Sequence, residues 1–289
     1  MKNFSRRSFI SKSGMGLTAS VALSGLSFPA FFKNMGLVIE QPFGFQSWIV
    51  RDMIGKDFPG TLKIMASEGY KLIEMCSPEG YVDSGFGPLT KIKPADMKKI
   101  INDAGLSCPS CHFGFSELTD QLDQRIEFSN QLGLSVMVCS SFDLPKTAVL
   151  DDWLKAADKL NKAAEKIKKA GMQTGCHNHH MEFAKLDNQL IYDALMNRFN
   201  PGLVKMQFQT QVITLGYKAS TYFNKYPGRF ISSHLSDWTA DKKEVPIGQG
   251  IINWKEFFAA AKTGGVKYFY VEMNFDTMAP SAAYLKQLS

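Results

Sequence analysis

The sequence predicts an α/β fold built as a single-domain (β/α)8 barrel, and three observations lead there. From residue 43 onward, eight short apolar runs alternate with longer segments of helical spacing. Such alternation implies parallel strands joined by right-handed crossovers. Eight units of this size fit the ~250 residues typical of a closed barrel. The rival, an open doubly wound sheet, is marked by a Gly-x-Gly-x-x-Gly turn after its first strand, and Gly44-Phe45-Gln46 offers none.

In order, the strands are expected at 43–49, 71–76, 106–112, 135–140, 172–177, 204–208, 230–235 and 267–273. The helical segments between them have fitting ends. Asp151-Asp152-Trp153 opens one with negative charge, and Lys166, Lys168 and Lys169 close it before Gly171, as the helix dipole and a glycine stop favour. Similar units run over 94–104 before Gly105, 117–132 before Gly133 and 254–262 before Gly264-Gly265. A last helix over 279–288 makes eight. No Pro/Gly/Ser-rich linker interrupts the series, so residues 40–289 suffice for one domain.

The residues before the barrel carry a different message. The chain of 289 residues has a formal charge of +6, yet five of its basic residues (Lys2, Arg6, Arg7, Lys12 and Lys33) precede the first acidic one, Glu40. The remainder holds 28 basic against 27 acidic residues and is close to neutral. A positive start followed by a weakly apolar run of small residues to Phe32 is export-signal architecture. The pair Arg6-Arg7, within Ser5-Arg6-Arg7-Ser8-Phe9-Ile10, resembles the twin-arginine signal that carries folded proteins to the periplasm. Residues 1–35 are therefore read as an export signal and the protein as periplasmic. A near-neutral mature chain disfavours a nucleic-acid partner. No later stretch approaches the ~20 apolar residues that span a bilayer, so no membrane association is expected after export. Hydrophobic content of 45% and charged content of 21% exclude intrinsic disorder.

Five cysteines, an odd count in a long chain, make no disulfide framework, although export leaves a Cys108–Cys111 link open. Cys108-Pro109-Ser110-Cys111-His112 also fits the C-x-x-C-H haem-attachment pattern, but it lies in an expected strand and not at a helix start.

A barrel of this kind builds its active site at the C-terminal ends of its strands, and polar residues collect there. The second strand ends Ile73-Glu74-Met75-Cys76, the third Ser110-Cys111-His112, the fifth Cys176-His177-Asn178-His179-His180-Met181-Glu182. The sixth ends Gln207-Phe208-Gln209, the seventh His234-Leu235-Ser236-Asp237, and the eighth Val271-Glu272-Met273-Asn274. All five histidines of the chain fall at these ends. Any one of them alone reads as a buried, satisfied imidazole; five together mark a ligand site. Imidazoles and carboxylates from separate strands suit Zn²⁺, Mn²⁺, Co²⁺ or Fe²⁺. Alternation puts His177 and His179 on one face of an extended strand, and His234 and Glu272 come from strands that can converge with them. Glu272 could equally act as a general base. Glu74 is a second acid/base candidate, its structural alternative being an ion pair with Arg or Lys.

These strand ends resemble the sugar phosphate isomerase/epimerase family, the xylose isomerase-like barrels. The resemblance rests on His177-Asn178-His179-His180-Met181-Glu182-Phe183, on Tyr226-Pro227-Gly228-Arg229-Phe230 leading to His234-Leu235-Ser236-Asp237, on Pro246-Ile247-Gly248-Gln249-Gly250-Ile251-Ile252-Asn253-Trp254, and on Val271-Glu272. It spans nearly all of residues 43–289. It implies one divalent ion, with His177, His179, Gln209, His234 and Glu272 as candidate ligands. It also implies proton transfer next to a sugar carbonyl, with Glu272 as one carboxylate, Glu182 or Glu74 as the other, and His112 as a further catalytic candidate. Trp48, Asp237 and Trp238 are candidate substrate contacts. Phe45, Phe113 and Phe115 join the two tryptophans as aromatics suited to stacking on a sugar ring, or to ordinary packing at the mouth.

Two positions depart from the family pattern. The sixth strand usually supplies an aspartate, where this chain has Gln209, and the lysine of a His-x-Lys-Asp run is replaced by Ser236. Two alternatives to isomerisation therefore stand beside it. One is a lyase or hydratase of 3-keto-glycosides, which also begins with a proton taken beside a carbonyl; the other is a sugar-binding barrel without catalysis. In each case the expected partner is a small sugar or glycoside, neutral and unphosphorylated, with a homo-oligomer left open.

Overall fold

A computed structural model describes Ile39 and residues 41–289; the expected export signal over 1–35 lies outside the described residues. Eight parallel strands close into a ring: β1 (Phe43–Gln46), β2 (Leu72–Cys76), β3 (Ser107–Phe113), β4 (Val136–Cys139), β5 (Gln173–His177), β6 (Val204–Gln209), β7 (Phe230–Leu235) and β8 (Tyr268–Val271). Each pairs with its neighbours in sequence, and β1 pairs with β8 through Phe43 and Phe269 to shut the barrel. Among the described residues no helix is long and apolar enough to cross a membrane.

The helices pack outside this ring. The longest, α1 (Leu150–Lys169), begins with Asp151 and Asp152 and ends with Lys166, Lys168 and Lys169, as expected from the dipole. It buries Trp153, Ala156, Ala157, Leu160, Ala163, Ala164 and Ile167, an apolar stripe at three- and four-residue spacing. The last helix, α2 (Met278–Gln287), follows β8.

Three of the expected boundaries that move are instructive. β1 stops at Gln46 instead of 49, because the Gln46 side chain accepts the Trp48 N–H and turns residues 47–50 into a 3₁₀ helix. The helix expected over 117–132 is two helices, Phe115–Thr119 and Leu122–Leu132, broken at Asp120-Gln121. β8 ends at Val271, so Glu272 stands just past its strand and is tied to the neighbouring β7 by its N–H on the Leu235 carbonyl.

The barrel interior has an unusual section. Val136 and Val138 of β4 meet Ile231 of β7; these strands are not neighbours, so the contact crosses the lumen. Bulky apolar groups commonly fill such an interior throughout. Here Gln46, Glu74, Ser110, Gln207 and Ser232 are buried within the strands, and the registers set Gln46 beside Glu74, Glu74 beside Ser110 and Gln207 beside Ser232. This polar group carries the site.

Candidate active site

The site is built from its buried carboxylate outward. Glu74 has no exposed surface, and an unpaired charge there would be untenable. Four strands supply donors to it. Gln46 Nε2 donates at 2.9 Å, Ser110 Oγ at 2.5 Å, Gln207 Nε2 at 2.8 Å and His234 Nε2 at 2.5 Å. His112 Nε2 lies 3.2 Å away. The partner expected from sequence was Arg or Lys; the structure gives two histidines instead. Burial opposes the charge on Glu74, but His112 and His234 outweigh it and hold the carboxyl well below its usual range.

His234 links this carboxylate to the mouth. Its Nδ1 meets Glu272 Oε2 at 2.9 Å while its Nε2 meets Glu74. Burial opposes its ionisation, yet Glu272 and Glu74 push its pKa up to about 10. Burial likewise raises Glu272, but His234 holds it below its ordinary value. The Glu272 side chain is 20% exposed and lines the cavity. The Gln209 amide donates to Glu272 Oε2 at 2.5 Å.

Above lies a cavity of about 790 Å³, open at the barrel mouth, whose wall includes His112, His177, His179, Gln209 and Glu272. Gln207 Oε1 accepts from His112 Nε2 at 2.6 Å, which directs the His112 lone pair to Nδ1. The imidazoles crowd together: ring centroids lie 4.6 Å apart for His177 and His234, 4.7 Å for His177 and His179, and 5.2 Å for His112 and His234. Burial, reinforced by the neighbouring imidazoles, lowers His177 well below its ordinary pKa; burial lowers His179 as well. The Nδ1 atoms of both are buried without a hydrogen-bond partner.

These residues fit a divalent ion. His112, His177 and His234 each offer one ring nitrogen, all within 4.8 Å of one another, although His234, bonded through both nitrogens to Glu74 and Glu272, would have to release a proton to ligate. The two bare Nδ1 atoms belong to neutral imidazoles, the form that ligates. His112, expected to act in catalysis, thus joins the candidate ligand group. His179, Gln209 and Glu272 fall outside that three-residue group, though all three face the same cavity.

Other expected residues sit elsewhere. β5 ends at His177, so His179 reaches the cavity from the following loop and not from a shared strand face. His180 is exposed. Glu182 is not a cavity residue: its Oε2 accepts the His179 N–H at 2.7 Å, and burial raises its pKa to about 7. Asp237 is not a cavity residue either. It is fully buried and accepts N–H groups from Gly248, Gly250, Ile252, Trp238 and the Trp254 indole. Trp48 and Trp238 do line the cavity, joined by Tyr81 and Phe275. Phe45 and Phe113 are core residues, and Phe115 packs on Phe142. Cys108 and Cys111, three apart on β3, face opposite sides and cannot join; all five cysteines are free. Sequence reasoning passed over Gln46, Ser110 and Gln207, whose only signal is polarity inside strands that should be apolar.

Fold and site together define a parallel barrel with a histidine- and carboxylate-lined mouth. The chain belongs to the Xylose isomerase-like TIM barrel family, whose profile matches residues 62–288. A sugar phosphate isomerase/epimerase from Parabacteroides distasonis ATCC 8503 is 25% identical, covering 87% of this chain and 95% of that one, with a TM-score of 0.74. L-ribulose 3-epimerase (14% identity, 86% and 94% covered, TM-score 0.62) shares the fold. So does a xylose isomerase-like barrel from Mycobacterium smegmatis in complex with magnesium (11%, 88% and 98%, 0.65). No curated protein matches the chain.

Proposed function

We propose that the protein is a sugar isomerase or epimerase that removes a proton beside a sugar carbonyl with the assistance of a divalent metal. One observation carries this reading: the bare nitrogens of His177 and His179 and the ionised carboxylate of Glu272 share one cavity wall. The epimerase and magnesium-bound barrels of the same fold support it. A bound divalent ion would polarise the carbonyl and stabilise the enediolate, with the His112–His177–His234 group as its holder.

The chain's own residues do the rest. Glu272, held ionised by His234, takes the proton, and Gln209 and His234 fix the orientation of its carboxylate. Glu74 is sealed under the cavity and Glu182 is bonded to backbone, so neither returns a proton. That step falls to His179 at the mouth, outside the metal-holding group. Trp48 and Trp238 hold the sugar by stacking. The reading includes export through the Arg6-Arg7 signal, which Arg6→Lys/Arg7→Lys would abolish in a fractionation assay.

Incubation of metal-loaded protein with ketoses and aldoses in D₂O tests the chemistry. Deuterium beside the carbonyl of recovered sugar is expected, and Glu272→Gln should lower its incorporation at least a hundredfold. No incorporation into any sugar would sink the proposal. The breadth of the cavity also favours a second reading, elimination from a 3-keto-glycoside, whose mark in the same experiment is release of the aglycone.

A further inference from the structure

Ser236 stands where the family pattern has a lysine, and the proton transfer proposed above gives it no task. Its surroundings do. It follows β7 directly, is 1% exposed, and shares the cavity wall with Trp238. Ser236 Oγ accepts from Trp238 Nε1 at 3.0 Å. Thr210, which opens the 3₁₀ helix Thr210–Leu215 after β6, completes the arrangement. Its Oγ1 accepts the Ser236 N–H at 2.8 Å, donates to the Ser236 carbonyl at 2.9 Å and lies 3.2 Å from Ser236 Oγ.

The placement of each proton follows. A hydroxyl carries one proton and two lone pairs, and an indole N–H only donates. The Thr210 proton is committed to the Ser236 carbonyl, so the contact between the two hydroxyls is donated by Ser236. Its own proton therefore points away from Trp238, and its oxygen receives the indole. Both residues are buried, which leaves water little chance to replace either bond. A lysine at 236 would bring donors and no acceptor, and could not hold the indole.

The Trp238 backbone is pinned as firmly. Its N–H donates to Asp237 Oδ1 at 3.0 Å, its carbonyl accepts from Ile251 N at 2.8 Å, and it pairs with Glu244 across the hairpin of Asp237–Trp238 and Glu244–Val245. The half-buried side chain is thus fixed before any ligand arrives. A contact surface that loses no side-chain freedom on binding gains up to about tenfold in affinity over a mobile one. We propose that Ser236 and Thr210 are positioning residues that hold the Trp238 indole as a ready-made stacking surface for a sugar ring. The assignment rests on the isomerase reading for the location of the site.

The test is a double-mutant cycle on the metal-loaded, full-length protein, read by ligand-observed nuclear magnetic resonance titration with D-fructose, D-glucose and methyl β-D-glucopyranoside. The glycoside has a closed ring and cannot isomerise, so its binding is judged apart from the isomerase reading. Ser236→Ala should weaken binding about tenfold in the parent. In Trp238→Phe, which has no indole N–H to hold, the same change should cost less than about twofold. Ser236→Thr, which returns the hydroxyl, should recover most of the affinity. With any free sugar that exchanges deuterium, Ser236→Ala should raise KM about tenfold and leave kcat within about twofold. Trp238→Phe alone, which spares both hydroxyls, should show a loss similar to that of Ser236→Ala. Parental affinity in Ser236→Ala, an equal loss in both backgrounds, or failure of all three probes to bind would overturn the proposal. The expected cycle on the glycoside without deuterium exchange in any sugar would leave the stacking surface standing and remove the isomerase reading. Exchange without the cycle would do the reverse.

Discussion

Glu74 lives at a depth where a bare carboxylate is untenable, so its partners decide the stability of the barrel interior. Glu74→Gln removes the anion that faces His234 and leaves that imidazole paired with Glu272 alone. A loss of about 3 kcal/mol is expected, read by urea denaturation of the metal-free protein; a variant as stable as the parent would mean the pair is not ionised. His177→Ala and His234→Ala should each abolish stoichiometric uptake of Mn²⁺ or Zn²⁺ measured by elemental analysis after chelation and reloading. At this scale the sequence was legible where residue type alone carries chemistry. Histidines and carboxylates at strand ends announced His112, His177, His234, Glu272 and Glu74. Gln207 was not legible, because an amide in a strand shows its purpose only once the register sets it against Glu74, His112 and Ser232. The placement of Asp237 and Glu182 was hidden for the opposite reason: their partners are mainly backbone N–H groups, which every residue but proline possesses.

The loop between β7 and the helix Trp254–Gly264 is held by one carboxylate. Gly250→Ala should expel Asp237 from its cradle and cost about 2 kcal/mol, seen as a lower thermal midpoint. Gly202→Ala, whose Cβ would meet nothing closer than 3.4 Å, serves as the neutral control. Elements were legible from alternation and caps, and β7 falls where the pattern puts it, over Phe230–Leu235. The overrun of β1 was not legible, since Ser47, Trp48 and Ile49 read as strand until the Gln46 side chain is seen folding back on the backbone. The break at Asp120-Gln121 was hidden by helical residues on both sides.

For the whole molecule, the Glu74–His234–Glu272 chain sets a pH window. The contribution of His234 is complete below its ordinary value of 6.5 and is lost as pH rises through about 10. The contributions of Glu74 and Glu272 are complete above their ordinary value of 4.5 and are lost as pH falls below it. The contribution of this chain to the thermal midpoint of the metal-free protein should therefore be flat only between about pH 5 and 6.5 and fall on either side, the alkaline fall running to about pH 10; His234→Asn should remove the alkaline fall contributed by this residue. The closure of the ring has a further consequence. Ile39 N–H bonds the Leu288 carbonyl at 2.9 Å, and β1 lies against β8, so the barrel has no privileged first strand. Joining residue 289 to residue 39 by a short linker and cutting instead at the exposed Asp187-Asn188 turn should yield a circular permutant that folds and keeps the same mouth. The order in which the eight units are written along the chain is then a matter of history and not of architecture.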